Sequence, residues 1–405
     1  MRKRILFIAP NSLPINGPEA IVNAKLIKVL SNNYDIDVIS KNTSNRYIAA
    51  TLDEIFVQNV KNLKIITVDN SVTIRSIIDH FLSFLKTGYV YKGIHWSYYA
   101  IKHAEKLIKQ NRYDYILSRN PPSEVVGLYL AKKYNIPWIA NWNDPYPEIR
   151  MPEPYGGGSD AKISNNQRKL LDNICKYTAY QSFNSIRARD YMLQYMQYDL
   201  KKTIVIPHVC IEGLVELPND KPSKKIKFVH SGNVAAPRNP YPFLYSVKTF
   251  LLYHPKAEIE FNFIGKQTTE FAKQVSKLDL SAHVKVHASL GYFENLQFIS
   301  SQDIGVIIEA QSSNSVFLPT KVGDYMQCGK DILAISPQIG VLRDLYEKKA
   351  IRYFADCTNT QNIAEELEKI YKLYCSKNER YCSKTKIYHE FSEQHIRELY
   401  KKILK

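Results

Sequence analysis

Short apolar runs alternate with helical periodicities along nearly the whole chain, and this alternation limits the fold more than any other feature. Runs of strand character are "RILFIA", "DIDVIS", "LKIITV", "DYILS", "PWIAN" and "TIVIP". Between them lie helical patterns such as "PEAIVNAKLIKVLSNN", with Ile21, Ala24, Lys25, Ile27 and Lys28 at i, i+3, i+4 spacing. "SEVVGLYLAKKYN" is a second helix, with Ser123 as its expected N-cap. Strands alternating with helices specify a parallel sheet covered on both faces. The segment "CIEGLVELPNDKPSKK" (210–225) breaks the rhythm with two prolines, Asn-Asp and lysines. The alternation restarts with "IKFVHSGN", "EIEFNFIG", "VKVHASLG", "DIGVIIEA" and "DILAIS". The expectation is an α/β chain of two Rossmann-like domains with parallel sheets facing a cleft. The first covers 1–210, a linker 211–225, the second domain 226–385, and a basic amphipathic helix 386–405 closes the sequence. Its apolar positions are Phe391, Ile396, Leu399 and Ile403. A chain of 405 residues suits two cores rather than one.

Composition narrows the partners without choosing among them. Hydrophobic residues make up 45%, which sets disorder aside. The net charge of +16 points to anions: nucleic acid, anionic lipid or phosphorylated ligands. No RRM, KH or helix-turn-helix signature is present, and the basic residues are spread along the chain, so no nucleic-acid partner is expected. The six cysteines are scattered and form no CxxC pair, which reads as reduced thiols in a cytoplasmic protein rather than a disulfide framework or zinc site. "MRKRILFIAPNS" mimics a signal peptide, but its apolar part is too short and reads as a first buried strand. No uncharged apolar run approaches the roughly 18 residues of a membrane helix.

In open α/β sheets, ligands bind beyond the carboxyl ends of strands, so the loops there carry the candidates. "FLPTKVGDYMQCGKDILAI" (317–335) reads as a helix from Pro319 to Gln327, closed by Gly329 and followed by a strand. The start of such a helix is an anion site, and Lys321 adds a full positive charge. Asp324 lies one turn in and can accept both hydroxyls of a ribose while a diphosphate sits at the helix tip. A capped structural helix with a surface Lys–Asp pair fits the same residues. In "FVHSGNVAAPRNPYPFLYSVKTF", Gly232 lets the backbone approach a ligand and Arg238 can clamp phosphate. A turn glycine and a solvated arginine fit equally. The loop "APNSLPINGPEA" holds Gly17 but is not the GxGxxG fingerprint, and Glu19 reads as an electrostatic cap. "LSRNPPSEVVG" and "WIANWNDPYPEIR" place Arg119, Asn120, Asn143 and Asp144 after strands, where Asp144 can orient or deprotonate an acceptor hydroxyl or merely make an Asp-Pro turn. "DID" at 35–37 matches a DxD metal pattern but lies inside a strand and is discounted. His208, His230, His283 and His287 share no metal-ligand spacing and read as structural. The aromatic, lysine-bearing stretch 72–110 suits a membrane interface, a hydrophobic acceptor or a helix buried between domains.

Three pieces, "PPSEVVGLYLAKKYNIPWIANWNDPY", "FVHSGNVAAPRNP…FIGK" and "FLPTKVGDYMQCGKDILAI", together with the final "FSEQHIRELYKKIL", resemble glycosyltransferase family 4 in order and spacing over nearly the whole chain. The resemblance implies the GT-B fold, with the helix 386–405 crossing back to the first domain, and retaining transfer from a nucleotide-sugar. It places the Gly17 loop near the donor diphosphate. Gly232 and Arg238 stand at the phosphates, with the Leu318–Pro319–Thr320 backbone and Lys321 at the phosphate-binding helix start. Asp324 stands at the ribose. The first glutamate of the family's pair falls on Val316 by direct count. A second basic residue near Gly232 is replaced by Asn233, and the usual N-terminal histidine by Arg119 and Asn120.

The expected activity is hexosyl transfer from a nucleoside-diphosphate sugar to a glycan or lipid-linked acceptor in surface polysaccharide synthesis. Arg238, Lys321 and Asp144 are the catalytic candidates, and no metal or other cofactor is expected. Arg119, Asn120, Asn143 and Asp144 are the acceptor candidates. Peripheral contact with the anionic inner face of the plasma membrane is a further expectation. A GT-B sugar-nucleotide epimerase and, behind it, a basic nucleic-acid-binding protein are the alternatives.

Overall fold

The computed structural model describes residues 2–42, 52–68, 73–217, 225–376 and 387–405. Part of the expected linker, 218–224, lies outside these described residues. Two compact units form. Unit 1 comprises Met1–Met151, Gly156–Val209 and Glu393–Lys405; unit 2 comprises Pro152–Tyr155 and Cys210–Ser392.

Among the described residues, unit 1 is built on seven strands: β1 (Arg4–Ile8), β2 (Asp35–Lys41), β3 (Val60–Ile66), β4 (Tyr115–Arg119), β5 (Trp138–Trp142), β6 (Tyr180–Phe183) and β7 (Thr203–Val205). They pair in the order β3-β2-β1-β4-β5-β6-β7, all parallel. Its helices are α1 (Pro18–Ser31), α2 (Glu54–Val57), α3 (Ile74–Thr87), α4 (Ile94–Gln110), α5 (Ser123–Tyr134), α6 (Asn165–Tyr177) and α7 (Ile186–Leu193). Unit 2 carries, among the described residues, six parallel strands: β8 (Ile226–Ser231), β9 (Ile259–Ile264), β10 (Val284–His287), β11 (Ile304–Ile308), β12 (Asp331–Ser336) and β13 (Tyr353–Asp356). Their order is β10-β9-β8-β11-β12-β13. Its helices are α8 (Tyr241–Tyr253), α9 (Thr269–Lys277), α10 (Tyr292–Ser300), α11 (Thr320–Gln327), α12 (Val341–Glu347) and α13 (Thr360–Ser376). The last helix, α14 (Glu393–Ile403), follows unit 2 in the chain but belongs to unit 1. The Tyr115 hydroxyl donates to the Lys405 carbonyl at 2.6 Å, and Ile396, Tyr400 and Ile403 are buried. No described helix is long and apolar enough to cross a membrane.

The α/β architecture with two parallel sheets is the expected one, and every quoted apolar run becomes a strand. β6 ("YQSF") and β13 ("YFAD") escape a periodicity reading because each is only four residues long, β6 with two polar residues and β13 with one. The helix ends differ in detail. Pro18 opens α1 at a position where its missing N–H costs nothing. Ser123 is the first residue of α5, not its cap; its hydroxyl donates to the Asn120 carbonyl. α11 starts at Thr320, with Pro319 in extended conformation as its N-cap. It closes as the sequence predicts: Gly329 has φ 67° and the Lys330 N–H donates to the Tyr325 carbonyl at 2.9 Å.

One packing detail positions the chemistry of unit 2. The Tyr325 ring of α11 lies flat against Gly305 of β11, where a Cβ would stand 2.3 Å from the ring. Its hydroxyl accepts from the Ser231 N–H at 2.9 Å and lies 3.1 Å from the Val229 carbonyl and 3.2 Å from that of Val306. Tyr325 thus pins α11 across the junction of β8 and β11. Gly305→Ala should push the helix outward and destabilise unit 2 by about 1–3 kcal/mol, the usual cost of overpacking. Urea unfolding checks this; an unchanged midpoint would mean that α11 shifts without resistance.

Candidate active site

Strand order reverses direction between β8 and β11 in unit 2, and ligands of open α/β sheets gather beyond the strands at such a point. Gly232 directly follows β8, and Glu309 directly follows β11. Gly232 has φ 127°, a conformation that side-chain-bearing residues rarely adopt, and a Cβ there would stand 2.9 Å from Lys321 Cε and 3.1 Å from Nζ. The glycine makes room for the lysine. Arg238, in the loop before α8, places Nε 3.5 Å from Glu309 Oε1. Its guanidinium sits 5.9 Å from the centre of the Tyr155 ring, and the Tyr155 hydroxyl donates to Glu309 Oε2 at 3.4 Å. The structure therefore brings Gly232, Arg238 and Lys321 together, as the sequence predicts, and adds Glu309 and Tyr155.

The electrostatics favour an incoming anion. Burial, with Arg238 close by, pushes the Lys321 ammonium down to about 8, against the pull of Glu309 and Asp324. Burial, reinforced by Lys321, pushes His230 well below its usual value. His230 is therefore neutral, and Nδ1–H donates to the Val306 carbonyl at 3.0 Å. Thr320 and Lys321 form the first turn of α11, where backbone N–H groups have no acceptor within the helix. Leu318, expected at the phosphates, is buried. Asp324 sits one turn into α11, 7% exposed, and accepts from the Tyr292 hydroxyl at 3.1 Å. That burial removes the surface-pair alternative. Val316, where the count placed the first glutamate, is wholly buried apolar packing. The carboxylate beside the cations is Glu309, seven residues earlier, and its place at a strand end is the signal that finds it.

Unit 1 repeats the arrangement. Its strand order reverses between β1 and β4, and a cavity of about 630 Å³ opens beyond their ends. Asn11, Glu19, Lys41, Tyr91, Asn120 and Asp144 are among the residues lining it. Glu19 is more than the cap the sequence implied. Its carboxylate accepts from Asn11 Nδ2 at 2.9 Å and from Asn120 Nδ2, while burial raises its pKa. Asn120 has φ 58° and also accepts the Asn143 N–H at 3.0 Å. Deeper, burial raises Glu124 to about 8.

Two acceptor candidates do not reach this cavity. Arg119 is 3% exposed, and its Nη2 donates to Asn143 Oδ1 at 3.1 Å, with Tyr400 of α14 beside it. Asn143 is buried as well, its carbonyl taken by Asn184 Nδ2 at 2.6 Å. β4 ends at Arg119 and β5 at Trp142, just before Asn143, but both side chains turn into the interior rather than projecting from the strand ends. Gly17 caps α1 with extended backbone that any residue adopts, and a Cβ there would meet nothing within 4 Å. In the DxD pattern, Asp37 accepts from Arg4 Nε at 2.9 Å, from Asn62 Nδ2 at 2.7 Å and from the Tyr113 hydroxyl. His283 Nδ1 meets the Ile259 carbonyl at 3.0 Å and His287 Nε2 meets Asn262 Oδ1 at 2.7 Å, both structural bonds.

No family model matches the chain. No curated protein matches it in sequence. Solved structures do. HepE of Anabaena in complex with UDP and glucose is similar over 99% of both chains, with a TM-score of 0.65 and 14% identity. Sucrose-phosphate synthase of Thermosynechococcus elongatus is similar over 100% of this chain and 96% of its own, with a TM-score of 0.65 and 12% identity. A glycosyltransferase of Rickettsia africae is similar over 100% and 99%, with a TM-score of 0.67 and 12% identity. The two parallel sheets, the returning final helix and these end-to-end likenesses give one conclusion: the chain has the two-domain GT-B fold.

Proposed function

We propose that the chain is a family 4 glycosyltransferase that moves a hexosyl group from a nucleoside-diphosphate sugar to a glycan or lipid-linked acceptor, in surface polysaccharide synthesis. The observation that carries this reading is the Lys321–Arg238 cluster against Gly232, at the start of α11. HepE, similar in fold, was solved with UDP and glucose, which supports a donor of that chemistry here. The bond from the sugar's anomeric carbon to the diphosphate oxygen breaks, and its electron pair leaves with the diphosphate. Lys321, Arg238 and the first-turn N–H groups stabilise the charge that develops there. The acceptor oxygen bonds to the same carbon on the same face, and its proton passes to the departing phosphate. Asp324 holds the ribose, and Asp144 orients the acceptor hydroxyl. The charge stabilisation comes from side chains and a helix start, so the reaction runs without a metal.

A thermal-shift screen with UDP, GDP, dTDP, CDP and ADP tests the donor site. One nucleotide should add roughly 2.7 kcal/mol at a hundredfold excess over Kd, and none doing so would remove the reading. Nucleoside diphosphate release should then require an acceptor and survive a chelator. The epimerase reading keeps one point in its favour, since Glu309 supplies a carboxylate beside the cations. Conversion of the nucleotide-sugar without any acceptor would select it.

Affinity should also depend on pH. A bound diphosphate favours the charged Lys321, which in the free protein loses its proton above about 8. Above that value, binding must take up a proton, and Kd should weaken by up to about tenfold per pH unit. Below it, this group leaves Kd flat. Calorimetric titration with the preferred nucleotide in buffers of different ionisation enthalpy reads the proton directly.

A further inference from the structure

Helix α3 is inside out. Thr73 and Ser76 form a capping box at its start, and Gly88, with φ 75°, closes it, so the helix is well specified locally. Its buried residues are Ser76, Asp79 and Ser83, a polar stripe at i, i+3, i+7. Asp79 turns inward to accept from the Tyr99 hydroxyl at 2.6 Å and lies 3.2 Å from His95 Nε2 of α4. The opposite stripe is apolar and exposed: Ile74 at 80%, Ile77 at 59%, Phe81 at 59% and Leu85 at 61%, with Ile78 and Phe84 beside them. Packing on unit 1 thus hides the polar face and leaves the apolar one in water, the reverse of a surface helix in a globular protein.

We infer that α3 is an in-plane anchor whose apolar face inserts into the headgroup boundary of an anionic lipid bilayer. Charge selects this occupant. From Ile74 to Gln110 there are six Lys and Arg residues and two acids, a net of +4. Neither acid opposes an anionic surface: Asp79 is turned inward, and Glu105 is bonded to both Lys86 and Lys133. Arg75 and Lys86 of α3 are both exposed, and Lys86 also pairs with Glu105 at 3.2 Å. A second copy of the chain would bring this cationic surface against itself, whereas anionic headgroups complement it. The sequence expectation for 72–110 therefore divides: Trp96 of α4 is buried and hydrogen-bonded to the Ser40 carbonyl at 3.2 Å, and the membrane role falls to α3. No α3 residue lines the unit 1 cavity, so the inference stands apart from sugar transfer.

Flotation of the full chain with vesicles tests it. Vesicles of equal parts phosphatidylcholine and phosphatidylglycerol should carry the protein, and phosphatidylcholine alone should carry at least roughly tenfold less. Phe81→Asp should reduce binding by about tenfold or more while keeping the wild-type melting temperature, because the side chain it replaces is exposed. Ile74→Asp, at the helix start, gives the same reading if Phe81→Asp melts early. Failure of the wild type to float, or equal flotation of the variants, overturns the inference. So does a dimer seen by light scattering that Phe81→Asp splits, which would assign the face to a second copy.

Discussion

Lys321→Met should make the protein more stable near neutral pH and nearly inactive. The ammonium is held down from 10.5 to about 8, so keeping it charged within the fold costs up to about 3 kcal/mol at pH 7. That is an upper figure, since the side chain retains some contact with solvent. The cost is present in full below about 8 and disappears as pH rises toward the unfolded value of 10.5. The stability gap between variant and wild type should therefore close across that window, which melting curves in a pH series will show. The same substitution removes a full charge from the place where the leaving diphosphate is proposed to gather its own. Losing one such donor typically costs about 2.7–4 kcal/mol of transition-state stabilisation, so kcat/KM should fall roughly 10²–10³-fold. A variant that gains stability and keeps its turnover would separate Lys321 from the chemistry. Stability given up at a functional group is a common signature of an active site.

Arg119→Ala should have the opposite profile, with a large loss of stability as the primary event. Its guanidinium is buried, donates to Asn143, and lies beside Tyr400 and in the field of Glu19 and Glu124. Removing it leaves Asn143 Oδ1 without that donor, uncovers the raised carboxyls and opens a cavity. Breaking a buried charged contact usually costs about 3–5 kcal/mol. Urea unfolding should show the transition of unit 1 moving to lower denaturant. Loss of activity with an unmoved midpoint would return Arg119 to the acceptor site where the sequence placed it.

The architecture was readable because parallel strands buried on both faces need near-continuous apolar runs, and eleven such runs stand out in the sequence. The grouping of Gly232, Arg238 and Lys321 was readable too, since these residues follow from strand ends and a helix start. Glu309 was not legible because a fixed spacing back from Asp324 along the chain leads to Val316. The fold instead selects whatever follows β11. Arg119 was misread because a strand end fixes where a residue stands but not which way a long side chain turns. In α3 the apolar period is visible in the sequence, yet periodicity cannot say which face the protein keeps. The inward Asp79, held by Tyr99 and His95, settles that question, and those partners lie sixteen or more residues away.

The return of α14 to unit 1 gives the chain an unusual schedule during synthesis. Val209 ends the main body of unit 1, and about 180 residues are made before Glu393 begins its last helix. At roughly 5–20 residues per second, the first sheet waits about ten to forty seconds for its closing segment while unit 2 is being completed. Ile396, Tyr400 and Ile403 bury themselves only then. The unit begun first is finished last, so a stop codon just before Glu393 would deliver a second unit with its sequence entire and a first unit with an open apolar seam, a natural target for chaperones and proteases.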